Sequence, residues 1–560
     1  MNRYAIQHIV DSAYCFPIAK DKISLRLRTA KDDIKEAYVI YENKYVYGEV
    51  QQKEPMTKSY TSELFDYYTI TLTLEDTRLA YIFYVNDGNE NYFFSEDGIT
   101  KTYNYKLGYY NFFQYPYINE VDIMDSVDWM KNAVFYQIFV DRFKMGNTSK
   151  DKSYINCNWG DIPTPKTFAG GDLLGITEKL DYIKDLGCNA IYLTPIFSSI
   201  SNHKYDINDY ETVDEQFGTN EDLENLVENI HKRGMRLVLD AVFNHCSDQM
   251  SQFKDVLENG RKSPYFDWFI IDGDKPNQDI LNYETFAYCE YMPKLNTSNP
   301  QVQKYLIDVA CMYITKYHID GWRLDVSDEV SHDFWRTFRK AIKKANPNAV
   351  IIGENWHDAY SNLRGDQYDS IMNYAFTKAS LDYFATDSLD AKGVAYKLND
   401  LLMRNTDTVN NMMLNLLDSH DTHRFFSEIG EDKEKFKAAL CMLFLYPGAP
   451  CIFYGTEIMT TGGYDPDCRR CMDWEKAEGD YGADIKNLIK WLSALRQKYD
   501  FSQGVVKIYS VDDIFIIENK SDICEIKLYI NNTPKTVTVE NIKLEPFSHI
   551  VMENGGQYHD

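Results

Sequence analysis

The sequence predicts an α/β protein: a (β/α)8 TIM barrel with an N-terminal β-sandwich, a small inserted domain after the third barrel strand and a short C-terminal antiparallel β domain. Three patterns carry this expectation. The first 120 residues alternate apolar and polar side chains in short runs rich in β-branched and aromatic residues. From about residue 130, short apolar strands alternate with amphipathic helical stretches, as parallel βα units do. After residue 503 the period-two alternation returns.

The sandwich, residues 1–120, is expected from the runs Lys22–Arg28, Glu36–Tyr41, Tyr67–Leu74 and Leu79–Val85, with Asn86-Asp87-Gly88 as a turn. The barrel, residues 121–503, rests on eight strand candidates: 133–140, 189–197, 236–244, 321–327, 349–356, 368–374, 412–418 and 450–457. Helical patterns over 178–186, 220–233, 302–317 and 433–445 lie between them, and eight such units close a barrel. The stretch from 245 to about 300 is too long for a simple connection and reads as an insertion over the barrel mouth. Helical residues 483–498 lead to the C-terminal domain, 504–560, with strands expected at 505–510, 514–518, 523–530 and 535–539.

Composition narrows the function. The 560 residues carry 59 Lys plus Arg against 85 Asp plus Glu, a formal charge of −26. This argues against a reader of nucleic-acid phosphates and against docking on an anionic membrane. Hydrophobic residues at 44% and charged residues at 26% exclude wholesale disorder. No apolar run approaches the roughly 20 residues of a membrane span. The start, MNRYAIQHIVDSAYCF, lacks the cationic and apolar regions of a signal peptide. Eleven scattered cysteines suit a reducing cytoplasm, and the CxxC pair Cys468 and Cys471 has no second pair at zinc-site spacing. The 44 tyrosines can fill sandwich cores or stack on sugars; on composition alone, core packing is the better reading.

In a barrel of this kind the working residues gather at the C-terminal ends of strands. The third strand ends in Asp240, Asn244 and His245, the fourth in Arg323 and Asp325, the fifth in Glu354, Trp356 and His357, and the seventh in Asp418, His420 and Asp421. Five carboxylates, an Arg and three His at one mouth suit glycosidic bond cleavage. One carboxylate attacks while a second, with raised pKa, serves as acid and then base. Arg323 and Asp325 are two apart in a strand and share a face, so the cation would keep Asp325 ionised.

The segments Asp240–His245, Gly321–Asp325, Gly353–Glu354 and Ser419–Asp421 resemble the four signature motifs of the α-amylase superfamily, glycoside hydrolase family 13. The resemblance covers roughly residues 130–500. It implies Asp325 as nucleophile, Glu354 as acid/base and Asp421 as transition-state stabiliser. Arg323, His245 and His420 would contact the sugar at subsite −1. Asp240 and Asn244 would organise their strand end, and Tyr205, in His203-Lys-Tyr-Asp206, would stack on the sugar. Met292-Pro-Lys-Leu-Asn296, Glu329, the run 354–376 and Asp465-Pro-Asp-Cys-Arg469 look like the neopullulanase, cyclomaltodextrinase and maltogenic amylase group. Asp465 and Arg469 would then bind donor-side glucose, and Trp356 would form an acceptor-side wall or, on the plainer reading, pack the barrel rim.

The resemblance further implies a homodimer through the N-terminal domain, and α-1,4 cleavage of cyclodextrins, maltooligosaccharides and pullulan with some transglycosylation. No cofactor is expected. The family's calcium position, around Asn147, Asp151, Gly170 and Asp172, carries Met145 and Lys150 where oxygen ligands are wanted, so the metal is expected to be lost, with the Lys150 amine taking over Asp172 or Asp151. The rival readings are an oligo-1,6-glucosidase or α-glucosidase, which usually lacks the sandwich and the MPKLN run, and a non-catalytic glucan-binding or transporter-associated protein, which would lose catalytic carboxylates that are all present here.

Overall fold

The computed structural model describes residues 1–46, 51–106 and 110–557. It contains two compact units: Val127–Thr386 with Asn411–Gly504, and Met1–Ser126 with Asp387–Asn410 and Val505–Gly556.

The first unit is the barrel. Among the described residues its strands are β1 (Phe135–Ile138), β2 (Ala190–Leu193), β3 (Arg236–Ala241), β4 (Gly321–Leu324), β5 (Val350–Gly353), β6 (Ser370–Ile371), β7 (Leu414–Leu416) and β8 (Ala449–Phe453). They pair in parallel in the order β6-β5-β4-β3-β2-β1-β8-β7. A parallel bridge from Met372 to Leu414 closes the ring. Beside it Asn373 donates its backbone N–H to Leu414 O (2.8 Å) and its side-chain amide to Asn415 Oδ1 (2.8 Å). Buried on both faces, the strands are continuous apolar runs such as AIYL and VIIG.

All eight expected strands are present, but most are shorter than the apolar runs that announced them. The run 236–244 pairs only to Ala241, yet Val242 and Phe243 stay fully buried. Apolar continuity reports burial, and burial continues into the loops at the mouth after strand pairing has ended. The helices Lys433–Leu445 and Ala483–Lys498 match their expected limits. The run 178–186 corresponds to two short helices, Leu173–Glu178 and Leu180–Asp185, meeting at Lys179, whose ψ of 8° leaves the α region. Two excursions leave the barrel top. The insertion after β3 holds the helix Ser251–Asn259 and isolated bridges that include His245–Lys294 and Phe269–Leu295. The other, after β2, was not expected: a hairpin of Phe197–Ser199 with Ile207–Val213, whose bend carries Tyr205.

The second unit contains the sandwich. One sheet orders Cys15–Ala19, Lys22–Ala30, Phe65–Thr73 and Thr57–Thr61; the other is built on Glu36–Glu42 and Leu79–Asn86. Leu25, Leu27, Val39 and Phe83 are fully buried between them, and Tyr41, Tyr68, Tyr81, Tyr92 and Tyr115 join that core. The C-terminal sheet orders Val505–Val511, Ile514–Lys520, Glu525–Asn531 and Ser548–Glu553, followed by Gly556–Gln557. Helix Ala391–Arg404, which lies between β6 and β7 in the chain, belongs to this unit. Its Asn399 donates to Thr61 O and Ile508 O, both at 2.9 Å, linking strands of the two β domains. The buried Arg26 completes the link by donating to Asn405 O and Asp407 Oδ1, both at 2.6 Å.

The lower rim of the barrel depends on a buried charge. Asp369, fully buried just before β6, accepts from Arg339 (2.7 Å), Lys343 (2.7 Å) and the Ile351 N–H (2.9 Å), so it holds helix His332–Ala345 against β5. Replacing it with Ala leaves two cations facing a low-dielectric gap. Asp369→Ala is expected to cost about 3 kcal/mol of stability, seen as a lower denaturant midpoint, with turnover at 25 °C unchanged.

Candidate active site

The site is organised around Arg323, which is 1% exposed. Strand register places it beside Asp240 of β3, since Asp240 pairs with Arg323 across the parallel ladder and both face the lumen. Its Nη1 donates to both Asp240 oxygens at 3.0 Å and to Asp325 Oδ1 at 2.8 Å. Its Nη2 lies 2.8 Å from Glu354 Oε2 and 3.9 Å from Asp421 Oδ2. Four carboxylates thus contact one guanidinium, and Arg469 is the next cation, 3.4 Å from Asp421.

This imbalance sets the electrostatics. Burial pushes the Asp325 carboxyl well above its usual range; Arg323 pulls it back, while Glu354 and Asp240 push it up further. Asp421 is raised to about 7, first by burial and then by the Glu354 charge. The expectation that the Arg323 cation would keep Asp325 ionised is therefore not met by this pair in isolation, because the same cation is divided among four acids.

Glu354 follows β5 directly. A Cβ on Gly353 would stand 2.6 Å from the Tyr368 ring, so only glycine lets the strand pass there. On the facing strand Val326, just after Asp325, adopts a left-handed conformation (φ 45°, ψ 43°) that a β-branched residue rarely takes. The bend turns its N–H onto Glu354 Oε2 at 2.9 Å. It is held from behind by Ser327, whose hydroxyl donates to Glu354 O (2.9 Å) and whose carbonyl accepts from Trp335 Nε1 (2.8 Å) and the Tyr368 hydroxyl (3.0 Å). Strain of this kind persists where surrounding contacts over-determine it.

On the opposite wall, Tyr192 and Tyr205 donate to Asp240 Oδ2 at 2.6 and 2.9 Å. Tyr205 also lies 2.5 Å from His420 Nε2, with the two rings parallel within 4°. Gln137 of β1 meets His420 Nδ1 at 2.6 Å. Burial, with Arg469 and Arg323 nearby, holds His420 neutral. His245 is lowered to about 3 by burial and then by Lys294; it stacks on Phe286 at 4.7 Å, and its buried Nε2 has no partner among the described residues. His203, lowered to about 4 mainly by burial, positions the Tyr205 backbone.

Toward the rim, Lys294 from the insertion hydrogen-bonds the Asn244 side chain and pairs with Glu329 Oε2 at 3.2 Å, tying the insertion to β3 and β4. Arg469 donates to His420 O at 2.7 Å and pairs with Asp465 at 3.3 Å. Trp356 is 52% exposed and stacks face to face on Tyr374. Two residues expected in the cluster lie outside it. Asp418 accepts from the Phe425 N–H (2.8 Å) beside Arg424, and His357 is exposed and pairs with Asp328 (3.0 Å). In both cases the side chain turns away from the lumen after its strand has ended.

Sequence reasoning gave no role to Gln137, Tyr192, Lys294, Phe286 or Tyr374. A signal existed for Gln137, the polar member of the buried strand FYQI. Phe286 and Tyr374 depend on loop paths that no local pattern reveals. Around the expected vestigial metal position, the Lys150 ammonium donates to Gly170 O and Gln216 O, both at 2.8 Å, and pairs with Asp172 at 3.0 Å. Asp172 also accepts from the Gly146, Asn147 and Gly175 N–H groups, whereas Asp151 turns to Ser153. Among the described residues, no group of three or more His, Cys, Asp or Glu side chains is placed to hold a metal ion, and no helix is long and apolar enough to cross a membrane.

Comparison with known proteins agrees with this geometry. Residues 137–502 match the α-amylase catalytic domain, and residues 1–119 match the α-amylase N-terminal Ig-like domain. A cyclomaltodextrinase of Thermoanaerobacter pseudethanolicus is 42% identical over 539 residues, covering 96% of this chain and 93% of the relative. An intracellular maltogenic amylase of Bacillus subtilis is 43% identical over 524 residues, covering 92% and 88%. A solved cyclomaltodextrinase structure superposes with a TM-score of 0.91 at 39% identity, covering 96% of this chain and 93% of that one. With its barrel, its acid cluster and its N-terminal domain all accounted for, the chain belongs to the α-amylase family of glycoside hydrolases, in the branch of the cyclomaltodextrinases and maltogenic amylases.

Proposed function

We propose that the protein is a retaining hydrolase of α-1,4 glucosidic bonds in cyclodextrins, maltooligosaccharides and pullulan, with some transfer to sugar acceptors. The observation that carries this is the contact of Asp325, Glu354 and Asp421 with one buried guanidinium at the barrel mouth. Asp325 attacks the anomeric carbon, and Glu354 protonates the leaving oxygen and later deprotonates water. Two carboxyls touching one guanidinium suit the separation of about 5–5.5 Å of a double displacement. Asp421, shared between Arg323 and Arg469, holds sugar hydroxyls and strengthens that hold as positive charge grows on the ring. The free Nε2 of His245 and the Tyr205 ring face the same sugar, while Asp465 and Arg469 extend the donor side. Names such as cyclomaltodextrinase and intracellular maltogenic amylase among the relatives support the substrate class and a cytoplasmic setting.

Two further proposals concern assembly and metal. The chain acts as a homodimer through residues 1–120, on the warrant of its N-terminal domain type. Lys150 serves in place of a calcium ion: its ammonium already draws on two carbonyls and Asp172, and a dication would meet that charge. EDTA is expected to leave both the melting temperature and the dimer mass in sedimentation equilibrium unchanged; an EDTA-induced drop in melting temperature that calcium reverses would overturn the metal assignment, and a monomer mass the dimer.

For the chemistry, Asp325→Asn should lower γ-cyclodextrin opening by several orders of magnitude, while the parent releases α-configured product. Glu354→Gln should fall as far on natural glucans but recover on substrates whose leaving group needs no proton. Near-normal turnover by clean Asp325→Asn protein would refute the assignment.

Asp421 yields a stability prediction. Its folded carboxyl titrates at about 7, against about 3.9 when unfolded. Between those values the folded state binds the extra proton, so this stabilising contribution is complete below about pH 4 and is lost as pH rises through 7. Asp421→Asn cannot suffer that loss. It should melt above the parent at pH 8, match it near pH 4, and lose about a thousandfold or more in activity.

A further inference from the structure

Lys204 stands between His203 and Tyr205 at the bend of the hairpin formed by Phe197–Ser199 and Ile207–Val213, and it is fully buried. Its ammonium lies 3.0 Å from Asp214 Oδ2 and donates to Gln216 Oε1 at 2.7 Å and to Ser199 O at 3.3 Å. The rings of Phe217 and Phe168 lie 5.1 and 5.9 Å from it. These partners sit at the base of the hairpin and in the turn that follows it. The Tyr205 hydroxyl, from the next residue, reaches the barrel mouth, where it donates to Asp240 at 2.9 Å and lies 2.5 Å from His420 Nε2.

The backbone at Lys204 is left-handed, with φ 62°, a conformation that side chains other than glycine rarely adopt. Such strain persists where other contacts over-determine it, and here they do. Asp214 is locked in place by the Ser199 N–H at 2.8 Å and the Gln216 N–H at 2.9 Å. The Lys204 side chain therefore spans from the bend to a fixed carboxylate. At the bend itself, the Lys204 N–H donates to Ser201 Oγ at 3.0 Å, and the Tyr205 N–H meets His203 Nδ1 at 3.1 Å. Gln216 is gripped twice, because its carbonyl also accepts from the Lys150 ammonium at 2.8 Å.

We infer that Lys204 is a positioning residue for the sugar-binding wall: its anchorage on Asp214 and Gln216 holds the strained bend that aims the Tyr205 ring across the barrel mouth. Gln216, shared with Lys150, ties that bend to the loop after β1. The inference rests on Tyr205 facing the sugar, as proposed above. A buried ion pair contributes little net stability compared with apolar groups of the same size. Its use here is to fix one geometry of the bend. Tyr205 is then held at both ends, at its root by the Lys204 anchor and at its tip by Asp240 and His420.

Lys204→Met alone would strand the buried Asp214 charge, so it is combined with Asp214→Asn. The double variant should lose about tenfold in kcat/KM on maltotriose, measured below its melting transition. In a Tyr205→Ala background the same two changes should cost less than about twofold, because the ring they aim is gone. An equal loss in both backgrounds would overturn the inference, and so would parental kcat/KM in the double variant. If the double variant does not fold, Gln216→Met decides the matter, since it keeps the Lys204–Asp214 pair. Its loss of kcat/KM should likewise vanish without the Tyr205 ring; no loss, or a loss that persists there, overturns the inference. Additive losses beside an impaired Tyr205→Ala remove this inference alone, whereas a fully active Tyr205→Ala removes the sugar contact proposed above and this inference with it.

Discussion

One buried guanidinium must answer four carboxylates, and much of the site follows from that inequality. Removing Arg323 from water is costly unless its charge and donors are answered: Asp240 and Asp325 accept from Nη1 at 2.8–3.0 Å, and Glu354 lies 2.8 Å from Nη2 as an ion pair without a hydrogen bond among the described residues. Because the acids outnumber the cation, they cannot all be comfortably ionised in a dry lumen. Protons must be held within the cluster, and the charge state of each acid depends on its neighbours. A glycosidase needs two carboxyls in different protonation states side by side, and this cluster is built to supply that difference.

Holding mutually repelling groups a few ångströms apart requires rigid support. The barrel supplies it through register, which aligns Asp240 with Arg323 without any loop. The rest comes from close packing behind the strand ends: Gly353 beneath the Tyr368 ring, and Val326 kept in an unfavourable conformation by Ser327, Trp335 and Tyr368. The outer parts are held more loosely. Trp356 is anchored by one stacked ring and one hydrogen bond, and Lys294 reaches the site from an inserted segment with little regular structure. The number of contacts that fix each side chain thus falls from Arg323 and its acids toward the rim.

The sandwich and the C-terminal sheet form a unit of their own with helix Ala391–Arg404. That helix falls between two barrel strands in sequence, and Asn399 and Arg26 bind it among β elements far away in the chain. Nothing in its amphipathic pattern distinguishes it from a helix that packs on a barrel. Its allegiance is decided by which side chains receive its polar groups.

The sequence by itself determined the alternation of strands and helices, the number of barrel strands, the two β domains and the identity of the acids Asp240, Asp325, Glu354 and Asp421. Those features are local: a run of buried residues or a fixed spacing along one strand leaves a readable pattern. Strand ends were not readable, because buried loops are as apolar as the strands they extend, as Val242 and Phe243 demonstrate. Nor was it readable that Asp418 and His357 turn away, that Tyr192 and Gln137 face inward beside the histidine and aspartate they hold, or that Lys150 finds Asp172 and leaves Asp151 to Ser153. Each of these depends on the direction of a side chain after its strand has ended, or on a contact between distant segments. Tertiary packing alone decides both, because the competing orientations differ in energy only through neighbours that the chain brings together when it folds.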